Sequence, residues 1–288
     1  MINIKEFFDA PTWTLTYVVH DPKTKDAVII DPVLDYDPNS STIEERSIEI
    51  VSSWVREHSL KVHMIVETHA HADHISGSQG LLQRFPGAKL AIGENIKLVQ
   101  KRFAQIYDLP ADFKTDGSQF DILLKDGSEY TAGTLRFKVL STPGHTPACC
   151  SYLFEDALFT GDAIFMPDYG TGRCDFPDGS ASNLWESITK KIYSLPDETR
   201  IFTGHDYMPG GRPLRWQSTV GEEKKSNIQL KGTTSREDFF KFRTERDKTL
   251  TAPRLLLPSV QLNIDAGHLP RANAAGQRFL KIPLVSKA

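Results

Sequence analysis

His69-Ala70-His71-Ala72-Asp73-His74 follows a mostly apolar run, Val62 to Val66, that reads as a buried strand. Four potential metal ligands thus stand within six residues at a strand end, where a loop can wrap several side chains around one point. Imidazole and carboxylate suit a borderline divalent ion such as zinc or iron. Further ligand signatures follow along the chain: Pro143-Gly144-His145-Thr146, Thr160-Gly161-Asp162 and Thr203-Gly204-His205. Histidine is scarce, nine in 288 residues, so this recurrence favours a metal centre over histidines satisfied in a polar loop.

Working outward, Trp13–Val19 and Ala27–Ile30 read as a hairpin around the polar turn 21–25. Thr42 and Glu45 form a capping box that would open an amphipathic helix through Ile48, Val51, Trp54 and Val55. After the histidine cluster come a short helix at Gly80–Phe85, a strand at Lys89–Ile92 and a helix at Glu94–Tyr107. Short strands follow at Leu135–Leu140, Ser151–Phe154 and Ala157–Thr160, then a helix at Asn183–Leu195 and a strand at Arg200–Thr203 that delivers His205. Met208–Pro213 interrupts regular structure. Beyond it lie a charged helix, Ser235–Leu250, and an apolar segment, Leu255–Asn263, expected to cap the edge of the core. Periodicity gives a mixed α and β fold and no more.

The net charge of −3, with both signs interspersed, offers no footprint for nucleic acid or an anionic membrane, so the expected partners are small molecules. Three cysteines make no disulfide framework and suit a reducing compartment. The N-terminal stretch has neither signal-peptide nor transit-peptide character, and no apolar stretch reaches bilayer length. A cytoplasmic location without membrane insertion is expected; a homodimer is compatible with the sequence but not required by it.

Over roughly the first 210 residues the chain resembles the metallo-β-lactamase superfamily. Within it, Thr68–Ile75, Gly144–Cys149 and Gly172-Arg173-Cys174-Asp175-Phe176 resemble the persulfide dioxygenases, the last of these separating them from glyoxalase II. The resemblance implies an αββα sandwich of class α/β (α+β), forming one domain over 1–288 with a core at 1–208 and a C-terminal extension at 209–288 packed on it. It implies one Fe(II) per chain held by His69, His145 and Asp162, with His71, Asp73, His74 and His205 as surrounding residues or a vestigial second metal site. Two histidines and one carboxylate on one face of an octahedral ion leave positions open for oxygen and substrate.

The implied reaction oxidises the sulfane sulfur of glutathione persulfide with O2 to sulfite and releases glutathione. That substrate needs cationic and polar anchors, and Arg173 is the leading one, since a guanidinium grips a carboxylate through two parallel hydrogen bonds. Tyr207, in His205-Asp206-Tyr207, matches the family, and Lys224 with Asn227 fall where the family has a basic residue and an asparagine, with Lys in place of the Arg seen in some members. Cys149 and Cys150 are expected to pack in a strand, and Cys174 to be accessible to oxidation. All seven ligands of a two-metal site are present, so a glyoxalase II-like thioester hydrolase is the alternative. A non-catalytic persulfide or metal sensor would share the binding residues without turnover.

Overall fold

The computed structural model describes residues 1–284. Its first sheet gathers β1 (Asn3–Asp9), β2 (Thr14–His20) and β3 (Asp26–Ile30) with three later strands. Between them in sequence, β4 (Val33–Asp37) and β5 (Thr42–Glu44) pair with each other in a small separate sheet. β6 (Lys61–Glu67) joins the first sheet, β7 (Ile75–Ser76) joins the small one, and β8 (Lys89–Gly93) and β9 (Ile122–Leu124) complete the first in the order β1-β2-β3-β6-β8-β9. Its β1–β3 portion is antiparallel and the β3-β6-β8-β9 portion parallel.

The second sheet runs in chain order through β10 (Glu129–Ala132), β11 (Leu135–Ser141), β12 (Cys150–Phe154), β13 (Ala157–Phe159), β14 (Arg200–Phe202) and β15 (Gln217–Thr219). β13 and β14 are parallel; the other neighbours are antiparallel.

Side-chain alternation fixes the layering. Tyr17, Val19, Val28, Ile30, Met64 and Val66 point from the first sheet toward Phe137, Val139, Tyr152, Phe154, Phe159 and Phe202 of the second. The intervening Val18, Ile29 and Ile65 point the other way, onto α1 (Arg46–Glu57), α2 (Ser78–Arg84) and α3 (Ile96–Ile106). Both faces of β2, β3 and β6 are therefore covered, which is why these strands are nearly continuous apolar runs. On the outer face of the second sheet, Leu158 and Ile201 meet α4 (Ala181–Glu186), which continues as a π-helical turn through Ile192, together with α5 (Val220–Ser226) and α6 (Arg236–Asp247). The result is two facing sheets with helices outside. α7 (Leu256–Asn263) packs among the first group, placing Val260 and Leu262 in the core.

One local expectation is corrected. Thr42 lies in β5 and caps nothing; α1 begins at Arg46, and its first turn is held by Asp35, which accepts from the Ser47 amide at 2.7 Å and the Arg46 guanidinium at 2.9 Å. A carboxylate brought in from β4 satisfies an N-terminal amide as well as a local cap does. The edge strands β1, β5, β7, β9, β10 and β15, and β4 between β5 and β7, lie outside the strands expected from the sequence.

Candidate metal centre

Parallel strands end on the same side, and the loops after β3, β6, β13 and β14 all open at one end of the sandwich. They carry Asp31, the His69–His74 cluster, Asp162 and His205; the loop between β11 and β12 adds His145. Two glycines permit this convergence. A Cβ at Gly172 would lie 1.9 Å from the Asp162 carbonyl oxygen, and Gly161, at φ +49°, would drive one to 2.4 Å from Thr68 Oγ1.

His69, His145 and Asp162 present one ligand atom each within a single cluster. His145 Nε2 stands 3.5 Å and His69 Nε2 4.0 Å from the same Asp162 oxygen. Ligand atoms about 2.1 Å from one ion stand roughly 3–3.5 Å apart, so the group needs only small adjustment to hold one. The other ring nitrogens are already engaged: His145 Nδ1 donates to the Arg173 carbonyl at 2.8 Å, and His69 Nδ1 lies 3.0 Å from Thr68 Oγ1. Each ring is thereby oriented with its Nε2 lone pair facing inward. Burial, aided by the neighbouring His71 and His145, holds His69 well below its ordinary pKa and so neutral.

Asp162 belongs to a second cluster with Asp73 and His205, whose Nε2 is 3.3 Å from each carboxylate. His71, Asp73 and His74 form a third. Among the described residues, the buried His69 Nε2, His74 Nε2 and Asp162 Oδ1 find no hydrogen-bond partner. Orphaned buried donors and acceptors are costly, and a divalent ion satisfies such a set. The donor set fits a metal.

Behind it stand residues without a sequence signature. Asp31 accepts from the Thr68 amide and hydroxyl, both at 2.7 Å, and from His71 Nε2 at 3.0 Å. Burial disfavours a charged His71, but Asp31 and Glu67 outweigh it and raise its pKa well up. Asn263 of α7 donates to the carbonyls of His71 and His74 at 2.9 and 2.8 Å and accepts from the Ser76 amide at 2.9 Å.

A cavity of about 550 Å³ opens onto Asp73, His145 and Asp162. Tyr207 lines it, stacked between Tyr169, 4.6 Å away, and His205 at 5.5 Å. Burial and the Asp162 and Asp73 carboxylates push its phenol well up, keeping a proton to donate. Arg173 also lines the cavity, but its fork is taken by Asp175, at 2.6 and 2.5 Å, and by the Thr251 carbonyl at 2.8 Å. Lys224 does not line the cavity; it pairs with Asp197 at 2.6 Å. Asn227 is buried behind the wall, bridging Glu223 and the Gly170 carbonyl, and Gln229 reaches the cavity in its place. Cys149 and Cys150 are both buried, but only Cys150 lies in a strand, opening β12; Cys149 sits in the loop just before it, its sulfur accepting from the Thr146 amide at 3.3 Å and its thiol pushed up to about 12 by burial. The expectation for Cys174 is corrected: it packs against the helices over the second sheet, and burial raises its pKa, opposing the thiolate that oxidation needs.

The description Metallo-beta-lactamase superfamily matches residues 14–205. The chain is 46% identical over 283 residues to Glyoxylase B2 of Dictyostelium discoideum, covering 98% of this chain and 97% of that one. It is 48% identical over 282 residues to a Beta-lactamase hydrolase-like protein of Agrobacterium fabrum, where 98% of this chain spans only 64% of the relative. With the human protein named Persulfide dioxygenase ETHE1, mitochondrial, identity is 32% over 242 residues, covering 83% and 80%. Among solved structures, ETHE1 from Myxococcus xanthus superposes with a TM-score of 0.74 at 33% identity, covering 92% of this chain and 100% of that one. No helix among the described residues is long and apolar enough to cross a membrane.

Proposed function

We propose that this chain, which belongs to the metallo-beta-lactamase superfamily, is a persulfide dioxygenase that uses one Fe(II) held by His69, His145 and Asp162. The observation that carries the reading is that triad: two imidazoles and one carboxylate, each ring locked through its Nδ1, with His145 and Asp162 lining a cavity of about 550 Å³ and His69 buried beside them. Likeness to a named persulfide dioxygenase supports it. Glutathione persulfide, O2 and water give glutathione, sulfite and two protons. The outer sulfur is oxidised by four electrons, O2 is reduced, the S–S bond breaks, and water supplies the third sulfite oxygen.

Bound iron would supply the redox chemistry, presenting open positions to O2 and the persulfide together. The protein's own residues orient and protect. Asp31, through Thr68, fixes the His69 ring, and the Arg173 carbonyl fixes that of His145. Tyr207 supplies a protonated hydroxyl at the cavity wall, and Phe165, Tyr169 and Trp13 form an apolar lining that limits water.

A second reading, a two-metal thioester hydrolase, is favoured by one observation: Asp162 is shared between the His69–His145 and Asp73–His205 clusters, as a bridging carboxylate would be. An oxygen electrode separates the two. The dioxygenase consumes one O2 per glutathione persulfide and releases one sulfite; hydrolysis of a glutathione thioester without O2 uptake would establish the alternative.

A further inference from the structure

Met208, Gly210 and Gly211 hold φ values of +45°, +69° and +75°, and this run of left-handed residues folds the chain back after the loop that carries His205. The fold-back returns Arg212 to Asp206, 6 positions earlier in the chain. Nη1 and Nη2 each donate to Asp206 at 2.7 Å; Nη2 also donates to one Asp168 oxygen at 2.9 Å and Nε to the other, while Nη1 donates to the Pro213 carbonyl at 2.9 Å. Every N–H of the guanidinium fork therefore has an acceptor.

The two carboxylates occupy equivalent places. Each immediately precedes a tyrosine of the cavity wall, Asp168 before Tyr169 and Asp206 before Tyr207, and those two rings stack with centroids 4.6 Å apart at 28°. Among the described residues no other hydrogen bond joins residues 163–173 to residues 206–216. Nor does any protein group among them bond the Tyr207 hydroxyl, so its position is set by the backbone that carries it and by the rings of Phe165, Tyr169 and His205 against it. Gln229 donates to the Tyr169 carbonyl at 2.7 Å, which fastens that loop to the opposite wall and not to Tyr207.

We propose that Arg212, which does not itself line the cavity, is a positioning residue: by forking Asp168 and Asp206 it locks Tyr169 onto Tyr207 and fixes where the Tyr207 hydroxyl stands in the cavity. The inference rests on the dioxygenase reading only for the reaction in which that hydroxyl acts; the ring geometry does not depend on it. A lysine would keep the charge but present its donors from one point, and could not span both carboxylates with the same geometry. A misplacement of about 1 Å in a positioned group costs up to roughly 100-fold in rate.

The test is a double-mutant cycle in the iron-loaded enzyme: wild type, Arg212→Ala, Tyr207→Phe and the pair, followed by O2 uptake on glutathione persulfide. In Arg212→Ala, kcat should fall about 10- to 100-fold with KM within about twofold of wild type. The pair should be no slower than Tyr207→Phe alone, since Arg212 then has no hydroxyl left to position. Arg212→Lys should lie between Arg212→Ala and wild type. Because Arg212→Ala strands the buried Asp206, a second variant, Asp168→Ala, cuts the tie at its more exposed arm and leaves Asp206 paired; it should lower kcat in the same direction by less. Crystal structures of the two alanine variants read the geometry without any reaction, and in them the Tyr169 and Tyr207 rings should leave the 4.6 Å stack. Rings still stacked in a folded variant, or losses that simply add in the cycle, would overturn the proposal. Wild-type enzyme that takes up no O2 would remove the dioxygenase reading, and the ring positions in the variants would still decide the role of Arg212.

Discussion

Asn263 donates its side-chain amide to the backbone carbonyl of His74 at 2.8 Å, across 189 positions of sequence. The same side chain also holds the His71 carbonyl and the Ser76 amide, so the final helix clamps both ends of the ligand-bearing turn. Replacing Asn263 by Ala leaves two buried carbonyls and one amide unpaired. Each orphaned group costs about 1–3 kcal/mol, so a total loss of about 3 kcal/mol or more is expected by denaturant titration. Retained iron should fall with it. Wild-type stability in that variant would mean that α7 does not secure the loop.

Asp31 is the next support inward. Asp31→Asn keeps the side-chain shape and tolerates the positive φ of +49° at this position, but removes the anionic acceptor shared by Thr68 and His71. Loss of such a supporting carboxylate typically weakens metal affinity about 10- to 100-fold. Competition against an Fe(II) chelator measures it; Thr68→Val, which breaks only the link toward His69, should give the smaller effect.

The assignment of ligands separates His145 from His74. His145→Ala removes a member of the proposed iron triad, whereas His74 clusters with Asp73 and His71. Iron content after anaerobic purification should collapse in the first variant and persist in the second, with circular dichroism verifying that both are folded. Equal loss from two folded variants would favour a two-metal centre.

Away from the metal, Glu223 is buried between Ser218 and Asn227, and burial raises its pKa from 4.5 to about 8. Below pH 4.5 both folded and unfolded chains carry this proton; between 4.5 and about 8 only the folded chain does. Stability should therefore fall as pH rises through that window, by an amount on the order of a few kcal/mol from this group. Glu223→Gln can donate to Ser218 and accept from Asn227 without ionising. It should flatten the slope and raise Tm at pH 8 relative to wild type, as followed by thermal melts across the window.

The same residues mark what the sequence made legible. The histidine cluster could be read because its ligands are few, specific in type and adjacent, and because an apolar strand announces where they sit. His145, Asp162 and His205 were findable for the related reason that each follows a glycine forced by close packing, as at Gly161 beside Thr68. Asp31 and Asn263 were not. Each is a single common residue acting across a long sequence separation, and only the closed fold brings it to the site. Arg173 shows a different gap: its position near the metal was inferable, but Asp175, two residues on, satisfies it first. Lys224 likewise has a local partner in Asp197.

Metal stoichiometry tests the central claim most directly. Protein purified without oxygen and without added metal, then assayed by elemental analysis, should hold one iron per chain, because His69, His145 and Asp162 form one compact triad, two members of which line the cavity. Two equivalents of zinc or iron per chain, bound with equal tightness, would contradict the account and place Asp162 as a bridge in a binuclear hydrolase.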